Sequence, residues 1–315
     1  MKIVILESYA IAENDLDWGR LKSLADEVIQ YPRTEHKDIV QRLQGAQIAV
    51  CNKCNIDEEI LEQLPLLRFV ALTATGTDSL DIAACRKHNV AVANVPSYST
   101  YSVAQLTLAL LLEICQCPSR HEKAMRAGYW QLNVPSEYNI TSQIELQGKT
   151  FGIIGYGDIG KRMALLCEAL GMNILINTRT APKNDKRFVT QDELFNKSDV
   201  ISLHCPLTDA TRNIINEHSL NKMKSTAILL NSARGALVDE QAVANALEKG
   251  KLAAYGADAY KKEPILANNP LLTAPNAFLT PHIGWATQEA LKRLYETVED
   301  NIEAYLKGEK KNIVN

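Results

Sequence analysis

The chain has 315 residues, 46% of them hydrophobic and 23% charged, a balance typical of a globular protein long enough for two domains. Its net charge of -3 provides no basic surface field, so nucleic acid is not an expected partner. No apolar stretch approaches the ~18 residues of a membrane span, so no membrane contact is expected.

The first third of the chain alternates short apolar runs with helical patterns, which predicts a parallel α/β sheet. The first run is followed at once by Glu7 and by no cleavage site, which favours a buried strand over a signal peptide. The predicted strands are Ile3–Leu6, Ile48–Cys51, Phe69–Thr73 and Val90–Ala93. A strongly apolar helix is then predicted over Val103–Ile114, and its small polar face indicates burial between the two domains.

Seven cysteines, an odd number, lie along the chain. Cys51 and Cys54 have the spacing of a redox pair or of half a zinc site, but no second pair completes a set of four ligands. Coincidence is therefore the preferred interpretation, and no metal is expected. Reduced thiols are typical of a cytoplasmic protein.

A second α/β pattern occupies the rest of the chain and suits a complete dinucleotide-binding sheet. Its predicted strands are Phe151–Ile154, Ile174–Asn177, Val200–His204, Ala227–Asn231, Tyr255–Ala259 and Phe278–Thr280. A final helix is predicted from Thr287 to Lys307, ending before Gly308.

The first strand of this second pattern runs into a G-x-G-x-x-G turn, Gly155-Tyr156-Gly157-Asp158-Ile159-Gly160, and a helical pattern follows. The glycines allow a tight turn, close approach of the backbone to a pyrophosphate, and close packing of helix on strand. The helix N-terminus offers N–H groups and partial positive charge to the phosphates. This context predicts dinucleotide binding, and an ordinary tight turn is the alternative.

The end of the next strand bears on which dinucleotide is bound. An NAD site places an acidic residue there, about 20 residues beyond the glycines, to hold the ribose 2′-hydroxyl. Here Thr178 stands 18 residues after Gly160, with Arg179 beside it and Lys183 nearby. A hydroxyl and a guanidinium can bind a 2′-phosphate, which a carboxylate would repel. NADP is therefore favoured over NAD, unless Arg179 points into solvent and either cofactor is used.

Three ionisable residues follow the last three predicted strands: Arg234, Glu263 and His282. Ligands of open α/β sheets bind beyond the carboxyl ends of the strands, so these side chains are expected at one site. A guanidinium grips a carboxylate bidentately, and an imidazole donates a proton to a carbonyl oxygen. A carboxylate beside the imidazole orients it and favours its charged form. The set predicts reduction of a 2-keto acid.

His204 is the rival for the role of acid because it also ends a predicted strand. Cys205 and Pro206 follow it, and that geometry suits backbone contacts with a cofactor. His282 is therefore ranked first and His204 second.

The order of these segments resembles the D-isomer-specific 2-hydroxyacid dehydrogenase family over essentially the whole chain. The glycine turn is one of the matching segments. The others are Ala74–Asp78, Val95–Ser99, Ser102–Ala104, Leu203–Thr208, Asn231–Gly235, Gly256–Asp258, Glu263-Pro264 and Thr280–Ile283. Asn52-Lys53 and the segment His282–Thr287 look most like the glycerate dehydrogenase/hydroxypyruvate reductase branch. Gln105 and Ala259-Tyr260 depart from the family pattern.

The resemblance implies a Rossmann cofactor domain, 98–285, inserted into a flavodoxin-like substrate domain, 1–97 plus 286–315. It implies a homodimer that reduces a small 2-keto acid, such as hydroxypyruvate or glyoxylate, to the D-2-hydroxy acid. Its implied site residues have four roles. Arg234 would bind the substrate carboxylate, and His282, supported by Glu263, would be the acid/base. Lys53, Thr75 and Gly76 would approach the substrate. Ala233 and Asp258 would contact the cofactor, Asp258 at the nicotinamide carboxamide.

Two other functions are compatible with parts of the pattern. A nicotinamide-sensing regulatory protein of the same fold can keep the Arg, Glu and His residues, although this chain has no long interaction-prone extension. A Rossmann methyltransferase explains the glycines but leaves the three ionisable residues without roles.

Overall fold

The computed structural model of the protein describes residues 1–8, 18–132, 141–182 and 184–315. These residues form two compact units, Met1–Ser99 with Ala286–Asn315 and Thr100–Trp285. Each unit contains one parallel β-sheet connected through helices. The predicted fold class, α/β with two doubly wound parallel sheets, is confirmed.

The first unit has five strands in the order β2-β1-β3-β4-β5, which is the flavodoxin-like order. Its strands are β1 (Lys2–Ile5), β2 (Glu27–Gln30), β3 (Ile48–Cys51), β4 (Phe69–Leu72) and β5 (Ala91–Ala93). Its first four helices are α1 (Gly19–Leu24), α2 (Ile39–Leu43), α3 (Glu58–Glu62) and α4 (Ile82–Lys87).

The central strands β3 and β4 are buried along their whole length, because helices cover both faces of a doubly wound sheet. Their continuous apolar runs made them predictable from the sequence. The edge strand β2 was not predicted, since its two apolar residues lie between the polar ends Glu27 and Gln30.

The second unit has six strands in the order β11-β10-β9-β8-β6-β7. Its strands are β6 (Thr150–Ile154), β7 (Asn173–Asn177), β8 (Val200–Leu203), β9 (Ile228–Asn231), β10 (Ala254–Ala257) and β11 (Ala277–Leu279). Its helices are α5 (Thr100–Gln116), α6 (Pro118–Arg126), α7 (Asp158–Ala169), α8 (Gln191–Lys197), α9 (Glu217–Leu220) and α10 (Glu240–Glu248). All six strands predicted for this region are confirmed, with ends shifted by at most two residues.

The strand order of the second sheet reverses at β6, which lies between β7 and β8. An isolated parallel bridge joins Phe188 to Ile176 beyond β7, so the third strand of a Rossmann sheet is reduced here to a single bridge. Such a reversal creates a crevice at the carboxyl ends of the strands, where ligands of α/β sheets bind. The glycine turn that follows β6 lies at this crevice.

Helix α5 supplies part of the core of the second unit, so its burial is confirmed, and its expected place between the domains stays a prediction. Its residues Leu110, Leu111 and Ile114 belong to one buried cluster with Phe151 and Ile153 of β6. Within the described residues no single helix is long and apolar enough to cross a membrane, and only the bent pair α5 and α6 together meets that criterion.

The chain returns to the first unit in the long helix α11 (Gln288–Leu306). Thr287 caps its N-terminus, with the hydroxyl accepting from Ala290 N at 3.2 Å. Gly308 follows its C-terminus with a φ of 76°, a conformation that favours glycine. The helix packs on the sheet, and the Tyr305 ring stacks on Phe69 at 4.3 Å. The predicted final helix is confirmed.

Candidate active site

Three neighbouring parallel strands, β9, β10 and β11, end at the same edge of the six-stranded sheet. Arg234 follows β9, Glu263 follows β10 and His282 follows β11. Parallel strands bring loops that are distant in sequence to one edge, because their carboxyl ends point the same way.

His282 and Glu263 form a close pair. The imidazole Nδ1 lies 2.7 Å from Glu263 Oε1 and 2.6 Å from Oε2. Since an ionised carboxylate only accepts hydrogen bonds, the pairing places a proton on Nδ1 and leaves Nε2 as the reactive nitrogen. Both side chains are partly exposed, 35% for His282 and 22% for Glu263, so a small ligand can reach the ring.

The loop that carries His282 is closed by the carboxylate of Asp258. Asp258 is 3% exposed, and its Oδ1 accepts from Thr280 Oγ1 at 2.7 Å and from Ile283 N at 2.9 Å. Its Oδ2 accepts from Gly284 N at 2.7 Å. Asp258 therefore fixes the chain both before and after His282. Its expected contact with the nicotinamide stays a prediction.

The turn that carries Arg234 is braced by the fully buried Asn231. The Asn231 side chain accepts from Ala233 N at 3.1 Å and donates to Arg234 O at 3.0 Å. The Arg234 guanidinium donates to Ala233 O at 3.0 Å and is half-buried. Asn231 thus fixes the backbone from which the guanidinium extends.

Tyr260 connects the Arg234 turn to the Glu263–His282 pair. A Cβ atom on Gly235 would lie only 1.8 Å from the carbonyl carbon of Tyr260, so the two loops touch where only glycine fits. Tyr260 N donates to Glu263 Oε1 at 3.2 Å, and its hydroxyl donates to Thr280 O at 2.8 Å. The sequence singled out Tyr260 only as a departure from the family pattern. The available signal was an aromatic residue soon after the end of a strand.

The three glycines of the G-x-G-x-x-G turn have different surroundings. Gly155 has a φ of 95°, and a Cβ there would lie 2.5 Å from Cys205 N. A Cβ on Gly160 would lie 2.3 Å from Gly155 O, where α7 packs on the turn. A Cβ on Gly157 would meet nothing within 4 Å. Gly157 therefore borders open space at the start of α7, and Asp158 and Ile159 form the first helical turn.

This geometry fits the pyrophosphate of a dinucleotide, because the N-terminal turn of a helix presents backbone N–H groups and partial positive charge. The turn is tied to the neighbouring strand by Gly155 N, which donates to Asn177 O at 2.8 Å. Thr178 and Arg179 come directly after that strand, the first half-buried and the second exposed. None of residues 178–182 is acidic. Lys183 lies outside the described residues.

His204 lies at the end of β8 in surroundings that suppress its charge. Its Nε2 lies 2.8 Å from Ser202 Oγ, and burial lowers the pKa of His204 to about 4. A histidine that is neutral at pH 7 is a poor proton donor. Burial also raises the pKa of the neighbouring Cys205 thiol to about 11, while Pro206 is exposed. Among the two histidines considered as acid, this geometry favours His282.

The remaining predicted contacts lie in the first unit, at the carboxyl ends of β3 and β4. Lys53 is exposed after β3, and Thr75 and Gly76 lie in the loop after β4. Thr75 Oγ1 donates to Val95 O at 2.7 Å, which ties this loop to the segment after β5.

Cys51 and Cys54 are buried, and burial together with the Glu7 carboxylate raises the pKa of both thiols. In the part of the chain that the structure describes, no group of three or more His, Cys, Asp or Glu side chains could hold a metal ion.

Comparison with known proteins places this site in context. The family model of the D-isomer specific 2-hydroxyacid dehydrogenase, NAD binding domain, matches residues 108–284. The chain is 42% identical to a hydroxypyruvate reductase of Blautia hydrogenotrophica, with 100% of both chains covered. It is 39% identical to a glycerate dehydrogenase of Methylorubrum extorquens, with 88% of each covered. A solved acyclic imino acid reductase in complex with NADPH and D-Arg matches 100% of both chains at 28% identity and a TM-score of 0.88.

Proposed function

The chain belongs to the D-isomer-specific 2-hydroxyacid dehydrogenase family, and from this premise we propose that it reduces hydroxypyruvate or glyoxylate to the D-2-hydroxy acid. The resemblance predicted from the sequence is thereby confirmed at the level of the family. The protein is an NAD(P)-dependent oxidoreductase of small 2-keto and 2-hydroxy acids.

The Glu263–His282 pair is the observation that carries the proposed mechanism. When bound, the reduced nicotinamide supplies the hydride to the carbonyl carbon. His282, with its Nδ1 held by Glu263 at 2.6 Å, gives the proton from Nε2 to the carbonyl oxygen. Arg234 binds the substrate carboxylate through its guanidinium fork, and orienting the keto acid in this way lowers the barrier. In the reverse direction the neutral Nε2 of His282 accepts the hydroxyl proton.

We also propose that NADP is preferred over NAD. Support comes from Thr178 and Arg179, which follow β7 where an NAD site places a carboxylate. Gly155, Gly157, Asp158, Ile159 and Gly160 would hold the pyrophosphate.

The other proposed cofactor contacts are backbone and loop positions at the ends of β8, β9 and β10: His204, Cys205, Pro206, Ala233 and Asp258. Lys53, Thr75 and Gly76 are proposed to contact the substrate. The unit Thr100–Trp285 would act as the cofactor domain and the other unit as the substrate domain. We further propose that the protein is cytoplasmic and forms a homodimer.

Spectrophotometric assays with NADPH and with NADH against hydroxypyruvate, glyoxylate and pyruvate test this function. Steady turnover with the first two acids and a higher kcat/KM with NADPH are expected. A clear NADH preference would contradict the cofactor assignment. Absent turnover with every acid would favour the regulatory alternative.

Replacement of the acid tests the mechanism separately. His282→Ala is expected to lower kcat by the ~10²–10⁴ that a general acid contributes. His218→Ala, at an exposed position on α9, is the matched control and should leave kcat unchanged. Near-normal turnover of His282→Ala would sink the assignment.

A further inference from the structure

A carboxylate in the first unit accepts hydrogen bonds from a group of backbone N–H groups that includes that of Lys53. Oε2 of Glu7 accepts hydrogen bonds from the backbone N–H groups of three successive residues, Asn52 at 2.7 Å, Lys53 at 2.7 Å and Cys54 at 3.1 Å. Successive N–H groups that converge in this way form an anion-binding nest, and charge-assisted bonds of this kind are stronger than neutral ones.

The sheet topology explains how Glu7 reaches this nest. Strands β1 and β3 are neighbours and run parallel, with Ile5 paired to Val50, so their carboxyl ends lie side by side. Glu7 comes two residues after β1, and residues 52–54 come directly after β3. The contact therefore joins two loops that are 45 residues apart in sequence.

The same loop is braced on its other side by the segment after β4. The Asn52 side chain donates to Thr73 O at 3.1 Å, and Ser79 Oγ donates to Asn52 O at 2.8 Å. Thr73 and Ser79 flank Thr75 and Gly76 in sequence. The two loops that carry the proposed substrate contacts are therefore joined by hydrogen bonds. Asn52 connects the loop after β3 to the loop after β4, and Glu7 fixes the loop after β3, which carries Lys53.

We propose that Glu7 is a positioning residue for substrate capture: its carboxylate fills the nest of residues 52–54 and so holds Lys53 in the orientation that receives the 2-keto acid. This inference rests on the proposed function. Glu7 itself does not touch the substrate. Its removal should impair binding of the keto acid and leave the chemical step and the cofactor site, which belong to other residues, unchanged.

Steady-state kinetics of Glu7→Ala test the proposal. Loss of the acceptor for three N–H groups is expected to raise KM for hydroxypyruvate about tenfold, equivalent to about 1.4 kcal/mol, with kcat and KM for NADPH within about twofold of wild type. Glu7→Gln keeps an acceptor oxygen without the charge and should show a smaller rise. Glu62→Ala removes an exposed carboxylate of α3 in the same unit and should change neither constant.

A double-mutant cycle with Lys53→Ala separates positioning from a general loss of stability. If Glu7 acts through Lys53, Glu7→Ala should raise KM little further in the Lys53→Ala background. Fully multiplied effects, or an unchanged KM in both Glu7 variants of an active enzyme, would overturn the proposal.

Hydrogen exchange at residues 52–54 in the ligand-free protein distinguishes failure of this inference from failure of the proposed function. Faster exchange in Glu7→Ala than in wild type is expected, because the nest loses its acceptor. Unchanged exchange would overturn the role of Glu7 whatever the kinetics show. Absent turnover by wild type with every 2-keto acid would instead overturn the proposed function, and with it the substrate role of this loop.

Discussion

His282 and His204 look alike in the sequence, since each lies at the carboxyl end of a predicted strand of the same sheet. Their surroundings separate them. His282 has both oxygens of Glu263 within 2.7 Å of its Nδ1, whereas His204 has the neutral hydroxyl of Ser202 and a pKa lowered by burial to about 4. A carboxylate 19 residues earlier in the chain orients the ring of His282, whereas burial keeps His204 neutral.

Removing only the charge of Glu263 tests its support of His282. Glu263→Gln is expected to lower kcat by about tenfold or more, although by less than the ~10²–10⁴ expected for loss of the acid itself. The amide keeps an oxygen acceptor for Nδ1, but its hydrogen bond is weaker than that of a carboxylate and orients the ring less firmly. Steady-state kinetics with hydroxypyruvate measure the effect, and Glu248→Gln at the exposed end of α10 is the control. An unchanged kcat would contradict the role.

His204 should make the protein less stable as the pH falls. Its pKa is about 4 in the folded protein against an ordinary 6.5, so between these values the unfolded chain binds a proton that the folded chain does not. Stability is therefore lost as pH drops below 6.5, and no penalty exists above it. Urea unfolding at about pH 7 and about pH 5 should show a smaller loss for His204→Gln than for wild type. Equal losses would argue against the buried neutral state.

At the scale of elements, the three glycines of the turn between β6 and α7 have different surroundings. Gly155 and Gly160 lie against backbone atoms, so any side chain there must displace the turn. Gly157 faces open space and has φ and ψ of -79° and -162°, which an alanine can adopt. The motif predicts a different task for each glycine, and the atoms around each one show how much room it has.

Two alanine substitutions in this turn should therefore have opposite signatures. Gly157→Ala is expected to leave Tm unchanged and to weaken NADPH binding by about tenfold or more, because its methyl group enters the space of the pyrophosphate. Gly160→Ala is expected to lower stability by about 1–3 kcal/mol through overpacking against Gly155 O. Thermal unfolding and a fluorescence titration measure both. Normal NADPH affinity of Gly157→Ala would place the pyrophosphate elsewhere.

The elements that were easiest to predict from the sequence are strands buried on both faces and helices with clear signals at their ends. β3 and β4 are continuous apolar runs because both of their faces are buried, and α11 has a threonine cap and a terminal glycine. β2 escaped prediction because an edge strand buries only part of its surface. Its pairing is decided by the register of Ile3 with Val28, a contact that no local pattern encodes.

At the scale of the whole molecule, the second unit exposes several large apolar side chains in and just after α5 and α6. Tyr101 is 61% exposed, Met125 49%, Tyr129 44% and Trp130 60%. We propose that these side chains contribute to the homodimer, in which their apolar surface would be removed from water.

Substitution of one of these residues tests the dimer. Trp130→Ser is expected to shift the protein from dimer toward the 34.9 kDa monomer in sedimentation experiments over a range of concentrations. Leu66→Ser, at a residue 51% exposed in the first unit, is the matched control and should leave the dimer intact. A monomeric wild type at every concentration would contradict the proposal.

The sequence by itself determined the two α/β patterns, the dinucleotide turn and the residue types of the site, because apolar periodicity and glycine spacing are local properties of the chain. It also placed Arg234, Glu263 and His282 after strands. Only the tertiary structure decided which other loops hold these groups in place. The decisive contacts join loops that are distant in sequence: Tyr260 with Gly235, Asp258 with the loop of His282, and Glu7 with Lys53. In each sheet, parallel strands bring such loops to the same edge.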